Sequence, residues 1–303
     1  MELMSIIDNL TEKLLNYDKD FFNRHNIPDL ILNARSESNN FFVYNADNNI
    51  IKVVESVSKE YDDICMFYLN KYIVLNLIEN SLDLIGGYPE SIGRLFLERF
   101  KLITDDIKNH PEKPYGFDSD IFRKDISICC LHMFPAGARV VHPCGVGRRF
   151  IINGGIKQFV SSLAFYLFRM RKNYPFYQTH VDTRCLAEFT EEGLKKCYLR
   201  IAEMLKEHRH IRGITGGSWF YDPIVEKISP RLSYLRKLPL SNGAKIFRNG
   251  SNDLDVKNAT AKSATRKNLY LKGEYNPTSY VMIWMRDDMI KWANANKHLF
   301  SEL

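Results

Sequence analysis

Apolar residues recur at helical spacing through the first third of the chain and then break into short β-like runs, which points to a helical part followed by a mixed one. Ile6, Leu10 and Leu14 stand four apart, and Ile92, Leu95, Phe96, Phe100, Ile103 and Ile107 follow a 3.6-residue period. A long helix is expected from about Tyr61 to Leu84, ended by Gly86, Gly87 and Pro89. The Asn-rich stretch from Asn39 to Ile51 suits a loop or a short hairpin. His110 to Gly116, HPEKPYG, has two prolines, a glycine and no helical period, so it marks the expected boundary. Residues 1–115 then form a helical N-terminal domain, and residues 116–303 an α/β domain carrying the site.

Beyond that boundary the β-like runs are ISICCLHMF (126–134), ARVV (138–141), RFII (149–152), YPFYQTHV (174–181) and VMIWM (281–285). Two helices lie among them. In the first, Ile156, Phe159, Val160, Leu163, Leu167 and Phe168 share one face. The second opens on Thr190 as N-cap before Glu191 and Glu192, turns Leu194, Cys197, Tyr198, Ile201 and Leu205 inward, and closes on His208, Arg209 and His210, which suit the helix dipole. This alternation indicates an α+β or α/β fold with a mixed sheet. With 303 residues, 45% of them apolar and 13% aromatic, there is ample material for a packed core.

The balance of 42 Lys plus Arg against 36 Asp plus Glu gives a net charge of +6, mild enough to suit a phosphate-bearing ligand. Six cysteines at irregular spacing, with no C-x-x-C pair, read as reduced cytosolic thiols, and a cytoplasmic location is expected. The N-terminus carries acids within its apolar stretch, unlike a secretory signal. Ile64 to Ile85 contains Lys71, Glu79 and Asp83, costly at a bilayer centre, so no membrane span is expected.

Four segments carry candidate chemistry. In GITGGSWFYDP a strand runs into Gly216, Gly217 and Ser218, where glycine lets backbone N–H groups approach a ligand. Asp222 and Pro223 then resemble a helix start; a plain Gly-Gly turn is the alternative. In HPCGVGRRF, Gly145 and Gly147 followed by Arg148 and Arg149 suit a pyrophosphate cradle, or else a hairpin with exposed arginines. In YQTHVDTRCLAEF, His180 and Asp182 stand two apart on a strand with Arg184, Cys185 and Glu188 following, which suits a general base, a structural histidine, or two ligands of an H-x-D metal site. In KNATAKSATRKNLYLK, Lys257, Lys262, Arg266, Lys267 and Lys272 occur without an acid; Arg266 with Ser263 and Thr265 could bind phosphate, against the alternative of a solvated basic face. Aromatic interleaving is too sparse there to favour nucleic acid.

The order of THVD, the helix FTEEGLKKCYLRIAEML, then GITGGSWFYDPIVEKI and PLSNGAKIFRNG resembles the GNAT superfamily of acyl-CoA-dependent N-acyltransferases over about residues 174–250. In that family an R/Q-x-x-G-x-G/A loop holds the cofactor pyrophosphate; the nearest form here is His142 to Gly147, with His in place of Arg or Gln. The resemblance implies acyl-CoA as co-substrate without metal and a small-molecule or peptide amine as acceptor. It further implies His180 or Glu188 as base, Tyr221 as the acid on the leaving thiolate, and amides at Gly216 to Ser218 on the carbonyl oxygen or the pyrophosphate. Cys185 beside His180 is an alternative nucleophile. The competing classes are a metal-dependent oxygenase using His180 and Asp182, and a non-catalytic interaction or effector module.

Overall fold

The computed structural model describes residues 2–34 and 49–300; residues 39–48 of the Asn-rich stretch lie outside the described residues. Two compact units divide the chain, Met1–Pro135 and Ala136–Leu303.

The first unit is helical, with α1 (Glu2–Tyr17), α2 (Phe21–Arg24), α3 (Ile27–Asn33), α4 (Asn49–Val57), α5 (Asp63–Glu79), α6 (Glu90–Asn109), α7 (Asp120–Cys129) and a two-residue strand β1 (Phe134–Pro135). The periodic residues face inward as expected: Leu10 and Leu14 on α1 and all six named residues of α6 are buried. The division falls after Pro135 because the Pro-rich segment is tied back to α5. Lys71 Nζ donates to the carbonyls of His110 and Pro111, and Asn70 Nδ2 donates to the Tyr115 carbonyl at 2.6 Å. The run at 126–134 is a correction: its first half is helix. Ser119 Oγ accepts from Phe122 N at 3.2 Å and starts α7, in which Ile126 to Cys129 are all buried, so that part of the run reads equally well as a buried strand.

The second unit is a mixed sheet with helices on both faces. Its strands are β2 (Arg139–Cys144), β3 (Phe176–Val181), β4 (Gly213–Ser218), β5 (Lys245–Gly250) and β6 (Ser279–Met285), running in the order β2-β3-β4-β6-β5. The helices are α8 (Arg149–Ile152), α9 (Gly155–Ala164), α10 (Glu191–Glu207), α11 (Val225–Ile228), α12 (Tyr234–Ser241), α13 (Asp253–Thr260), α14 (Ala264–Leu271) and α15 (Arg286–Ala295). β3 and β4 are parallel, joined through α10, and every other pairing among these strands is antiparallel.

Strand alternation separates the two faces. On one, Tyr198 of α10 meets Trp284 of β6 edge-on at 5.3 Å and Trp292 of α15 at 6.2 Å. On the other, Phe150, Met170, Phe176, Phe247, Val281 and Ile283 form a core under α8 and α9. The start and buried face of α10 match expectation, Thr190 Oγ1 accepting from Gly193 N at 3.1 Å and the five named apolar residues being buried, but the helix ends at Glu207, ahead of His208, Arg209 and His210. One expectation is overturned. RFII is the helix α8 rather than a strand, so Gly145 to Gly147 lead from β2 into a helix and form no hairpin. On α9 and the turn after it, Ile156, Val160, Leu167 and Phe168 point to solvent, 85%, 63%, 54% and 75% exposed. Periodicity identifies a stripe; it carries no information about what covers it. Among the described residues no helix is long and apolar enough to cross a membrane.

Candidate functional site

The parallel ladder between β3 and β4 is two residues long: Tyr177 pairs with Ile214 and Gln178 with Thr215. Both strands continue, to Val181 and Ser218, paired outward to β2 and β6 but not to each other. Among the described residues the ladder between them therefore stops at Gln178 and Thr215, which leaves an opening at the C-terminal ends of the parallel pair.

One side chain set gathers at this opening, on the α10 face. Arg139 pairs in register with Val181, and its Nη1 donates to Thr179 Oγ1 at 2.9 Å and to Tyr221 Oη at 3.4 Å. Arg139 is buried, and its Nε and Nη2 have no hydrogen-bond partner among the described residues. A guanidinium is always charged, so a buried one with open donors is a natural seat for an oxyanion. Gly216 is required beside it: a Cβ there would come within 2.9 Å of Thr179 Oγ1 and 3.3 Å of Tyr221 Oη. Tyr221 reaches this place because β4 ends in a 3-10 turn, Trp219–Tyr221, in which Ser218 Oγ accepts from Phe220 N at 3.2 Å. A narrow crevice on the same face is lined by Arg139, Glu188, Thr190, Gly193, Cys197 and Tyr234. Glu188 Oε2 lies 3.6 Å from Arg200 Nη1. Burial pushes the Cys197 thiol up to about 11, so at neutral pH it is a packed thiol.

The residues expected from sequence fall into three places. Tyr221, Gly216 and Glu188 come to the α10 face of the opening. Ser218 shares that face by alternation, and Gly217 points the other way. His180 also points the other way, away from Tyr221 and Ser218. Asp182 follows the end of β3, and its Oδ1 accepts from Arg184 N at 3.0 Å. Gly145, Gly147, Arg148 and Arg149 lie past Cys144, at the opposite strand ends from the opening. Arg266 is corrected from ligand-binding to structural: it is buried, stacked 4.5 Å over Trp219, and donates to Ser229 Oγ at 2.9 Å and the Ala259 carbonyl at 2.5 Å. Asp222 and Pro223 do not begin a helix; Asp222 Oδ1 accepts from Ile224 N at 3.1 Å in a turn ahead of α11. Arg139, the residue that organises the opening, was missed by sequence reasoning, although an arginine heading the apolar run of ARVV was a usable signal.

His180 stacks on His142 across the β2–β3 ladder, with Nε2 to Nε2 at 3.0 Å and ring centroids 5.1 Å apart. Burial pushes His142 down to about 4 from an ordinary 6.5. The unfolded chain therefore binds the additional proton first as pH falls. Stability from this residue is complete above pH 6.5 and is lost as pH drops toward 4, by about 3 kcal/mol in all. Urea titrations at pH 7 and pH 4.5 should show this loss, and His142→Phe should flatten it; an equal slope in both proteins would refute the assignment. Among the described residues no three His, Cys, Asp or Glu side chains gather where they could hold a metal ion.

No family model matches the chain, and no curated protein does. Among solved structures the chain is similar to an acyltransferase in complex with decanoyl-CoA, at TM-score 0.42 and 11% identity, covering 72% of this chain and 66% of that one. It is similar also to an acyltransferase in complex with decanoyl-CoA and teicoplanin, at TM-score 0.43 and 10% identity, covering 88% and 87%. These scores are too low to assign a site, which rests on the residues above.

Proposed function

We propose that the chain transfers an acyl group from acyl-CoA to an amine of a small molecule or peptide at the opening between β3 and β4. One observation carries the reading: the parallel ladder stops after Gln178 and Thr215, and on one face there Arg139 bonds Tyr221 and lines a crevice with Glu188. An extended arm bearing amides, such as the pantetheine of CoA, can bond the β4 edge past Thr215 as an added strand would. The α10 N-terminus is a poor seat for the pyrophosphate, since Thr190 already caps it and Glu191 and Glu192 occupy its first turn. The thioester is therefore positioned by the strand edge.

In this reading the amine nitrogen attacks the thioester carbonyl carbon, the N–C bond forms and the C–S bond breaks. Glu188 accepts the proton released by the amine, and the Tyr221 hydroxyl gives a proton to the departing thiolate. The open donors of Arg139 and the amides near Gly216 stabilise the oxyanion. Glu188 is preferred to His180 because it shares the face of Tyr221.

The test is thermal unfolding with CoA, with acyl-CoA of several chain lengths, and with Fe(II) under anaerobic conditions, paired with an amine acylation assay. CoA at a hundredfold excess over its dissociation constant should stabilise the fold by about 2.7 kcal/mol without added metal. No response to any CoA species would remove the reading, and a response to metal alone that is lost in His180→Ala would replace it.

A further inference from the structure

The strand ends opposite the opening carry a different chemistry. A cavity of about 460 Å³ is lined there by Arg169, Arg171, Arg209, Arg212 and Arg286, where the turn before β3, the loop into β4 and the end of β6 converge. His210 and Asp287 complete its polar lining. Two carboxylates oppose the five guanidinium groups: Asp288 bonds Arg169 at 2.7 Å, and Asp287 lies 3.8 Å from Arg286. Carbonyls hold Arg212 and again Arg286 in place, Arg212 Nη2 donating to Met170 O at 2.5 Å and Arg286 Nε to Leu205 O at 3.1 Å. The Nε of Arg212 is buried without a partner among the described residues. Arg171 takes φ +59, a left-handed conformation that costs a non-glycine residue energy and recurs where a side chain is held for a ligand.

Charge along the chain adds to this local set. No Asp or Glu occurs between Asp125 and Asp182, a stretch that includes Arg148, Arg149, Arg169, Arg171 and Lys172. Val146 N donates to Asn173 O at 2.7 Å, so the Gly145–Gly147 loop lies beside the same turn.

We infer that this arginine cavity binds a ligand with clustered phosphate groups, at a site separate from the β3–β4 opening. Mutual repulsion of five guanidinium groups around one cavity is relieved by a polyanion, and planar guanidinium forks match phosphate oxygens in pairs. The volume exceeds what a single phosphate fills and suits several. The same chemistry comes from a soluble polyphosphate compound or from a phosphorylated lipid headgroup, the second brought near by the exposed Ile156, Leu167 and Phe168. The inference does not depend on acyl transfer.

The experiment is calorimetric titration of the full chain with inorganic tripolyphosphate, and co-sedimentation with phosphatidylcholine vesicles with and without a few per cent phosphatidylinositol bisphosphate. Arg171→Ala/Arg209→Ala is the variant, because both side chains are exposed and their loss leaves the core intact. Binding of at least one probe is expected, weakening at least tenfold in the variant and falling with salt, while CoA affinity stays unchanged. Tripolyphosphate binding alone identifies a soluble ligand, and selective binding to the bisphosphate vesicles a lipid one. Failure of both probes, or equal binding by the variant, overturns the site. Loss of CoA affinity in the same variant overturns its separateness.

Discussion

Tyr221→Phe is expected to lower kcat for amine acylation by about 10²-fold or more, with little change in KM, as general acids commonly contribute 10²- to 10⁴-fold. The substitution keeps the ring, which is buried, and removes the hydroxyl that Arg139 meets at 3.4 Å. That contact is long, so its loss should move the unfolding midpoint only slightly. The split between turnover and stability distinguishes an acid from a packing residue. A thiol ester with a more acidic leaving thiol should recover part of the lost rate, since it needs less protonation. An unchanged kcat would take Tyr221 out of the chemistry.

Gly193→Ala is expected to cost about 3 kcal/mol of stability and to depress activity with it, because overpacking against an immovable neighbour forces the backbone to shift. A Cβ at this position would sit 2.0 Å from the Glu188 carbonyl oxygen and 2.9 Å from its carbon. These are main-chain atoms, so relief requires moving either the start of α10 or the turn that presents Glu188. Gly217→Ala is the control: a Cβ there meets nothing within 4 Å. Urea unfolding of the two variants gives the comparison, and equal midpoints would show that the turn yields freely.

Helices with one covered face were legible in sequence. α6 and α10 announce themselves by period, and α10 also by its Thr190 cap. The strands β2, β3 and β6 were found from β-branched and aromatic runs. Parts of α7 and α8 were read as strands because a short apolar run looks the same in either conformation. Of the proposed site, Gly216, Tyr221 and Glu188 were named from sequence. Arg139 meets Tyr221 only through the sheet, across a separation that no local pattern spans. The same holds for the arginine cavity, whose five members come from three separate segments. The face that His180 takes could not be read from its motif, because a motif shows that a residue lies on a strand, whereas the register decides its face.

The two-residue ladder of β3 and β4 has a mechanical consequence. It leaves the second unit as two half-sheets, β2 with β3 and β4 with β6 and β5, spliced by a short hinge at Tyr177–Gln178 and Ile214–Thr215. Each half has its own antiparallel bonding, so in the proposed function a ligand strand along β4 leaves those pairs intact. Once seated it laces the halves together, and slowed amide exchange would spread outward from the gap into β2 and β6, where the ligand touches nothing.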